Sequence, residues 1–117
     1  MRIDVITIFP KMFEAVLGES IIKRAQERGV LQIVLHNLRD YTHDKHRSVD
    51  DRPYGGGPGM VMRPEPIFEA VEAIKKQQPP HRGSAPVTCR TVLMSPQGPR
   101  LSAPHAKWLA GIGVESF

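Results

Sequence analysis

The chain has 117 residues, of which 40% are hydrophobic and 24% charged, with a net charge of +4 at neutral pH. This length and composition predict a single globular domain with a modest core and exclude wholesale disorder. The sequence contains neither an apolar run long enough to span a membrane nor a signal peptide at its start, so we expect a cytoplasmic protein without a membrane partner.

The first third of the chain predicts a βαβ unit. An apolar strand is expected at 2–9, and Pro10 is typical of the first position of a helix. That helix is expected over 10–28, with an interruption at Gly18, and a second strand follows at 30–36. A strand, a helix and a strand within so short a stretch favour two parallel strands joined by a right-handed crossover.

The middle of the chain, residues 37–63, shows neither a helical nor a strand period. Such long loops are usually functional, so we expect residues 37–62 to become ordered only with a ligand or a second subunit. Beyond it the pattern predicts a helix over 64–78, a mobile polar connector over 77–86 and a third parallel strand over 88–94. A short helix capped by Ser102 and the beginning of a fourth strand in the final residues complete the α/β interpretation.

The stretch DDRPYGGGPGMVM, residues 50–62, concentrates glycine and proline beside charge. It matches neither a Walker loop nor a dinucleotide-binding fingerprint, because the required lysine and glycine positions are missing. Glycines permit positive φ and let a partner approach the backbone, and Tyr54 offers a ring on which a base can stack. The stretch therefore indicates either an open binding surface or an elaborate structural turn.

The neighbouring stretch HDKHRSVDD contains two histidines beside aspartates, which raises the question of a metal site. We expect none, because two histidines on a loop without a further histidine or cysteine pair are a weak signal. The only cysteine, Cys89, excludes an internal disulfide and a cysteine cage. Pairs between Arg47 or Arg52 and the aspartates are the favoured interpretation.

The turn SPQG, residues 95–98, directly follows the predicted third strand. In parallel sheets ligands bind at the carboxyl ends of strands, so Ser95, Gln97 and the Gly98 backbone are candidates for binding a small molecule. A plain β-turn explains the same residues equally well. Between Glu72 and Glu115 all charged residues are basic, which indicates either a solvated surface or contact with nucleic-acid phosphates.

Three blocks, MRIDVITIFPKMF, RDYTHDKHRSVDDRPYGGGPGMVM and LMSPQGPRL, occur in this order over residues 1 to about 110. Together they resemble the N-terminal half of the bacterial tRNA (guanine-N1)-methyltransferase family. The resemblance implies methyl transfer from S-adenosylmethionine to the guanine 3′ of the anticodon of tRNA. It also implies a parallel sheet with flanking helices, as an incomplete knotted SPOUT-type methyltransferase domain, and a homodimer with sites across the subunit interface.

The same resemblance assigns roles to two groups of residues and none to a metal. The expected contacts to the methyl donor are Met94, Ser95, Pro96, Gln97 and Gly98. The expected contacts to the substrate RNA are His46, Asp50, Arg52, Tyr54, Gly55, Gly56, Gly57, Pro58 and Gly59.

Residues 1–117 are expected to form the N-terminal part of the cofactor-binding domain, without the family's C-terminal tRNA-binding domain. The catalytic residue is unknown, because the resemblance places the aspartate that serves as general base beyond Phe117. We therefore expect this chain to be an inactive part of a methyltransferase. The alternative is a non-catalytic, basic RNA-binding fragment.

Overall fold

The computed structural model describes residues 1–77 and 89–111, which belong to two compact units, Met1–Pro79 and Pro80–Phe117. Residues 78–88 and 112–117 lie outside the described residues, and with them all but the first residue of the connector predicted at 77–86, the first residue of the third strand predicted at 88–94 and nearly all of the fourth strand predicted in the final residues. The first unit contains β1 (Arg2–Thr7), α1 (Pro10–Leu17), α2 (Ser20–Glu27), β2 (Gln32–Asn37), a 3-10 helix (Leu38–Tyr41), β3 (Asp50–Asp51), β4 (Val61–Met62) and α3 (Pro64–Gln77). The second unit contains α4 (Ala103–Ala110).

The strands β1 and β2 pair in parallel, in a register that runs from Arg2 beside Gln32 to Thr7 beside Asn37. The predicted parallel βαβ unit is therefore confirmed. The predicted helix over 10–28 is divided at Gly18, where sequence analysis places an interruption. Gly18 is the C-cap of α1, and its N–H makes the last helical hydrogen bond, to the Glu14 carbonyl. Gly29, with a φ of +69°, follows α2 and turns the chain into β2.

The core of the first unit lies where the 3-10 helix, the end of the long middle segment and α3 meet. Leu38 and Val49 are each 2% exposed, and they form one cluster with Ala70 of α3. Ile6, Ile8, Tyr41 and Ile67 pack around this cluster. Residues 38–51 thus supply two of the core residues, and the expectation that 37–62 become ordered only with a ligand or a second subunit stays a prediction for hydrogen exchange to test.

The predicted third strand is also wrong for the described residues 89–94, which adopt no regular structure. A strand needs hydrogen-bonding neighbours and a buried face. Leu93 is instead 83% exposed and Met94 87% exposed. The apolar run that predicted the strand therefore lies at the surface of the second unit.

The helix α4 begins directly after Ser102, as predicted. The Ser102 hydroxyl lies 2.9 Å from Nδ1 of His105 and makes no capping bond to the helix backbone. In the same unit, the Arg90 guanidinium lies 4.5 Å from the ring centroid of Trp108, which is a cation–π geometry. Among the described residues, none of the helices combines the length and hydropathy needed to cross a membrane.

A polar network joins β1 to β2. The Arg2 guanidinium donates to both carboxylate oxygens of Asp4, with a shortest distance of 2.8 Å, and His36 Nε2 lies 2.9 Å from Asp4 Oδ1. Burial alone would raise the pKa of Asp4, but the hydrogen bonds from Arg2 and His36 together hold this pKa below its ordinary value of 3.8. The ionised carboxylate is therefore the form that the fold stabilises.

We expect the stability that Asp4 contributes to be lost under acid conditions. A carboxyl whose pKa is lower in the folded state contributes stability above its unfolded pKa, and this contribution disappears as the pH falls through the folded pKa. The difference in free energy of unfolding between the wild type and Asp4→Asn should therefore shrink as the pH falls below 3.8. Urea unfolding at a series of pH values measures it, and a difference that is independent of pH would contradict the interpretation.

Candidate functional site

The glycine-rich stretch forms the end of a short hairpin, and we call its residues 52–60 the glycine tip. β3 and β4 pair in antiparallel register, with Asp50 beside Met62 and Asp51 beside Val61. The N–H of Arg63 donates to the carbonyl of Val49 at 2.8 Å. Because Val49 belongs to the core, the base of the hairpin is fixed while the tip extends from it.

The conformation of the glycine tip requires glycine. Gly55, Gly56, Gly57 and Gly59 have φ values of +79°, +82°, +119° and +92°. The N–H of Gly56 donates to the Pro53 carbonyl at 3.1 Å, and the positive φ of Gly55 is the one that the third position of a type II turn requires. The stretch therefore contains a turn, and its role as a binding surface stays a prediction.

The same residues also leave the backbone open. A Cβ added at any of these four glycines would meet nothing within 4 Å, so the tip is not closed by the rest of the described chain. Tyr54 is 100% exposed, and Arg52 and Pro58 are exposed as well. An accessible backbone, a free aromatic ring and a guanidinium are the groups with which proteins bind an unstacked base and its phosphates.

The segment before the hairpin is held by its own polar groups. The backbone N–H of Ser48 donates to both Asp44 carboxylate oxygens, at 3.0 and 3.1 Å, and hydrogen bonding from Ser48 is the main reason that the pKa of Asp44 is lowered. Arg47, with a φ of +51°, contacts Asp40 at 3.3 Å. An arginine–aspartate pair is thus present, but its carboxylate is Asp40, which sequence analysis did not single out.

A cavity of about 430 Å³ lies beside this segment. His43, Glu69, Tyr41 and Arg63 are among the residues that line it. Within this lining, His43 Nε2 lies 2.8 Å from the Glu69 carboxylate. Within the described residues, no three or more histidine, cysteine, aspartate or glutamate side chains are arranged to hold a metal ion. His43 and Asp44 thus serve as partners of Glu69 and Ser48.

The predicted substrate residues share one region of the first unit. Asp50 starts β3, Arg52 begins the glycine tip, and His46 is exposed in the segment before β3. His36 and Tyr41, which sequence analysis did not select, approach each other at 3.3 Å between Nδ1 and the hydroxyl. The contact of His36 with Asp4 can be recognised only once the strand register is known, because the register places His36 beside Ile6 and therefore near Asp4.

The predicted donor-binding residues form a compact turn in the second unit. The Gly98 N–H donates to the Ser95 carbonyl at 3.0 Å, and the Gln97 N–H donates to Ser95 Oγ at 3.2 Å. SPQG therefore forms a turn, and donor binding by these residues stays a prediction. Its expected position at the end of a buried strand is wrong for the described residues, since 89–94 are exposed and adopt no regular secondary structure.

Comparison with known proteins identifies close relatives. The family profile described as tRNA (Guanine-1)-methyltransferase TrmD matches residues 1–112. Proteins named tRNA (guanine-N(1)-)-methyltransferase from Dehalococcoides mccartyi and Thermomicrobium roseum are 49% and 52% identical to the chain over 94% of its length. The chain spans 42% and 38% of the length of these two relatives.

A solved structure also resembles the chain. The crystal structure of tRNA (m1G37) methyltransferase from Aquifex aeolicus is 38% identical and superposes with a TM-score of 0.61. The match covers 65% of this chain and 34% of the Aquifex chain. The sequence comparison and the structure comparison therefore both identify tRNA guanine methyltransferases as similar proteins.

Proposed function

Because this chain belongs to the tRNA (guanine-1)-methyltransferase family, we propose that it supplies part of an enzyme that methylates N1 of the guanine 3′ of the anticodon in tRNA. The observation that carries the proposal is the family match over residues 1–112, combined with identities near 50% to curated relatives. The proposed methyl donor is S-adenosylmethionine. Its sulfonium supplies an electrophilic methyl group, so the protein's own task is to bring guanine N1 into line with that group.

We assign the RNA side of the reaction to the glycine tip and its neighbours. The open backbone of Gly55–Gly59 admits a flat base without steric conflict, and Tyr54 offers a ring for stacking. Arg52 supplies a positive charge for a phosphate, while His46 and Asp50 provide hydrogen-bonding groups near the base of the hairpin. The guanine must leave its stack to be reached, as in other enzymes that act on a base.

We assign the donor side to the turn Met94–Gly98. The backbone N–H groups of Gln97 and Gly98 are satisfied within the turn, so adenosine would be bound by the exposed Gln97 side-chain amide and by carbonyl groups. These are the donors and acceptors that the edge of an adenine needs, and the turn is open to solvent. The residues present thus fit an adenosine ligand.

The proposed partners are tRNA and a second copy of the protein, in the cytoplasm. A homodimer would bring residues of one subunit to the ligand of the other. The exposed apolar side chains of the second unit, among them Leu93, Met94 and Leu101, are suited to become buried in a larger assembly.

The proposal predicts that a chimera will be active. In this chimera, the segment of the Dehalococcoides mccartyi enzyme that matches the present chain is replaced by the present sequence. Since the two are 49% identical over 110 residues, we expect methyl transfer to tRNA within about tenfold of the parent enzyme. Labelled methyl groups from S-adenosylmethionine and mapping of the modified base to N1 of guanine are the readouts.

Two control reactions accompany this assay. A tRNA with adenine in place of the target guanine should accept no label, and the 117-residue chain should be assayed beside the chimera. A folded chimera that binds tRNA but transfers no methyl group would contradict the proposal and favour a basic RNA-binding fragment. Salt-sensitive binding without transfer would identify that alternative.

A further inference from the structure

We propose that Asp4, His36 and Tyr41 form a positioning relay that holds the 3-10 helix, and the segment that leads from it to the glycine tip, against the β1–β2 sheet. The three side chains come from three elements of the first unit: Asp4 from β1, His36 from β2 and Tyr41 from the 3-10 helix. His36 Nε2 lies 2.9 Å from Asp4 Oδ1, and the Tyr41 hydroxyl lies 3.3 Å from His36 Nδ1. None of the three is assigned to the bound substrate or donor.

The direction of each hydrogen bond follows from the chemistry of the groups. An ionised carboxylate only accepts, so the Nε2 atom of His36 must carry the hydrogen that Asp4 receives. In the neutral ring Nδ1 then has a lone pair, and the Tyr41 hydroxyl donates to it. Arg2, which binds Asp4 through two nitrogens, keeps that carboxylate ionised.

The relay is shielded from water at its centre. The side chains of His36 and Asp4 are 9% and 12% exposed, and at such positions hydrogen bonds are stronger and an unpaired group is costly. Asp4 therefore fixes the tautomer of His36, and the tautomer determines that Tyr41 is bound as a donor. The charged groups that face the imidazole in this network are Asp4 and, behind it, Arg2.

Tyr41 transmits this constraint to the segment before the hairpin. It is the last residue of the 3-10 helix, and its ring packs against the core cluster of Leu38, Val49 and Ala70. Val49 in turn accepts the Arg63 N–H that closes the base of the hairpin. A contact between β1 and β2 thus sets the place from which the glycine tip extends. The relay itself does not depend on the proposed function; only the assignment of RNA binding to the glycine tip rests on it.

The first test is nuclear magnetic resonance of the full chain with ¹⁵N-labelled histidine, in the pH range where the ring is neutral. We expect the Nε2 of His36 to have the chemical shift of a protonated nitrogen and Nδ1 that of a hydrogen-bonded acceptor. In Asp4→Asn, whose amide can donate as well as accept, these two shifts should move towards each other. A hydrogen on Nδ1 in the wild type would overturn the proposal.

The second test compares Tyr41→Phe with Tyr54→Phe by hydrogen exchange. Both remove one hydroxyl, and the Tyr54 hydroxyl is the matched control because its residue is fully exposed. We expect Tyr41→Phe to accelerate exchange of the Arg63 amide about fivefold, the factor that corresponds to one neutral hydrogen bond, and Tyr54→Phe to leave it unchanged. Equal rates in both variants would overturn the relay. Inactivity of the chimera would overturn only the proposed function.

Discussion

Replacing Gly57 with alanine in the active chimera is expected to reduce methyl transfer about 100-fold. Gly57 has a φ of +119°, which a residue with a Cβ rarely adopts, although the added atom would meet no neighbour. The substitution therefore changes the path of the glycine tip without obstructing it. A shift of about 1 Å at a substrate-positioning element is enough for a loss of this size. Single-turnover methyl transfer at saturating donor measures it.

Gly29→Ala is the matched control for this experiment. Gly29 also has a positive φ, +69°, and an added Cβ would also meet nothing within 4 Å, but it lies between α2 and β2. Both variants carry the general cost of alanine at a positive φ, roughly 1–2 kcal/mol in the left-handed region. Only Gly57→Ala should lose activity, and equal losses in the two would show that the tip has no special role.

Leu38→Ala is expected to lower the free energy of unfolding of the first unit by about 3 kcal/mol. Leu38 is 2% exposed and contributes to a small core, so the deletion leaves a cavity that few neighbours can fill. For a domain of this size such a loss is a large part of the total stability. Urea unfolding followed by far-ultraviolet circular dichroism measures it.

The same substitution at Leu93 provides the comparison. Leu93 is 83% exposed in the second unit, and its truncation should change the free energy of unfolding by less than about 0.5 kcal/mol. A small effect of Leu38→Ala would show that the cluster around Val49 is not the core of the first unit. It would also remove the anchor that we assign to the hairpin.

The parts of the fold that could be predicted are those with a strong local pattern. Ile3, Val5 and Ile6 indicate β1, Pro10 begins α1, and Pro64 begins the helix that contains Ile67 and Ile74. The parallel pairing follows because the connection between the strands is helical. These elements are specified by residues close to one another in sequence, and the structure confirms them.

The hairpin and the relay could not be predicted because they depend on distant residues. Asp50 and Asp51 have low strand propensity and pair with Met62 and Val61 only because the turn brings the two segments together. The Asp4–His36 contact spans 32 residues, and it becomes visible only when the strand register is known. The glycines of the candidate site could therefore be recognised in the sequence, whereas the strand pairing and the Asp4–His36 contact that hold it in place could not.

The prediction of a third strand was wrong although its local pattern is strong. Val92, Leu93 and Met94 have the apolar pattern of a buried strand. Such a pattern indicates which secondary structure a segment favours, but it does not show whether a neighbouring strand is present to pair with it. In the described chain these side chains are 52%, 83% and 87% exposed. The turn SPQG that follows them was one of two alternatives left open by the sequence, and Pro96 at its second position indicated it.

The contact between Arg90 and Trp108 also determines how unfolding of this protein can be observed. Trp108 is the only tryptophan, and it belongs to the second unit, whereas Leu38 and Val49 belong to the first. Indole emission therefore reports the surroundings of the Arg90 guanidinium, and the circular dichroism signal is dominated by the helices of Met1–Pro79. Transitions recorded by the two spectroscopic signals coincide only if the units unfold together, so a comparison of the two curves measures the cooperativity between them.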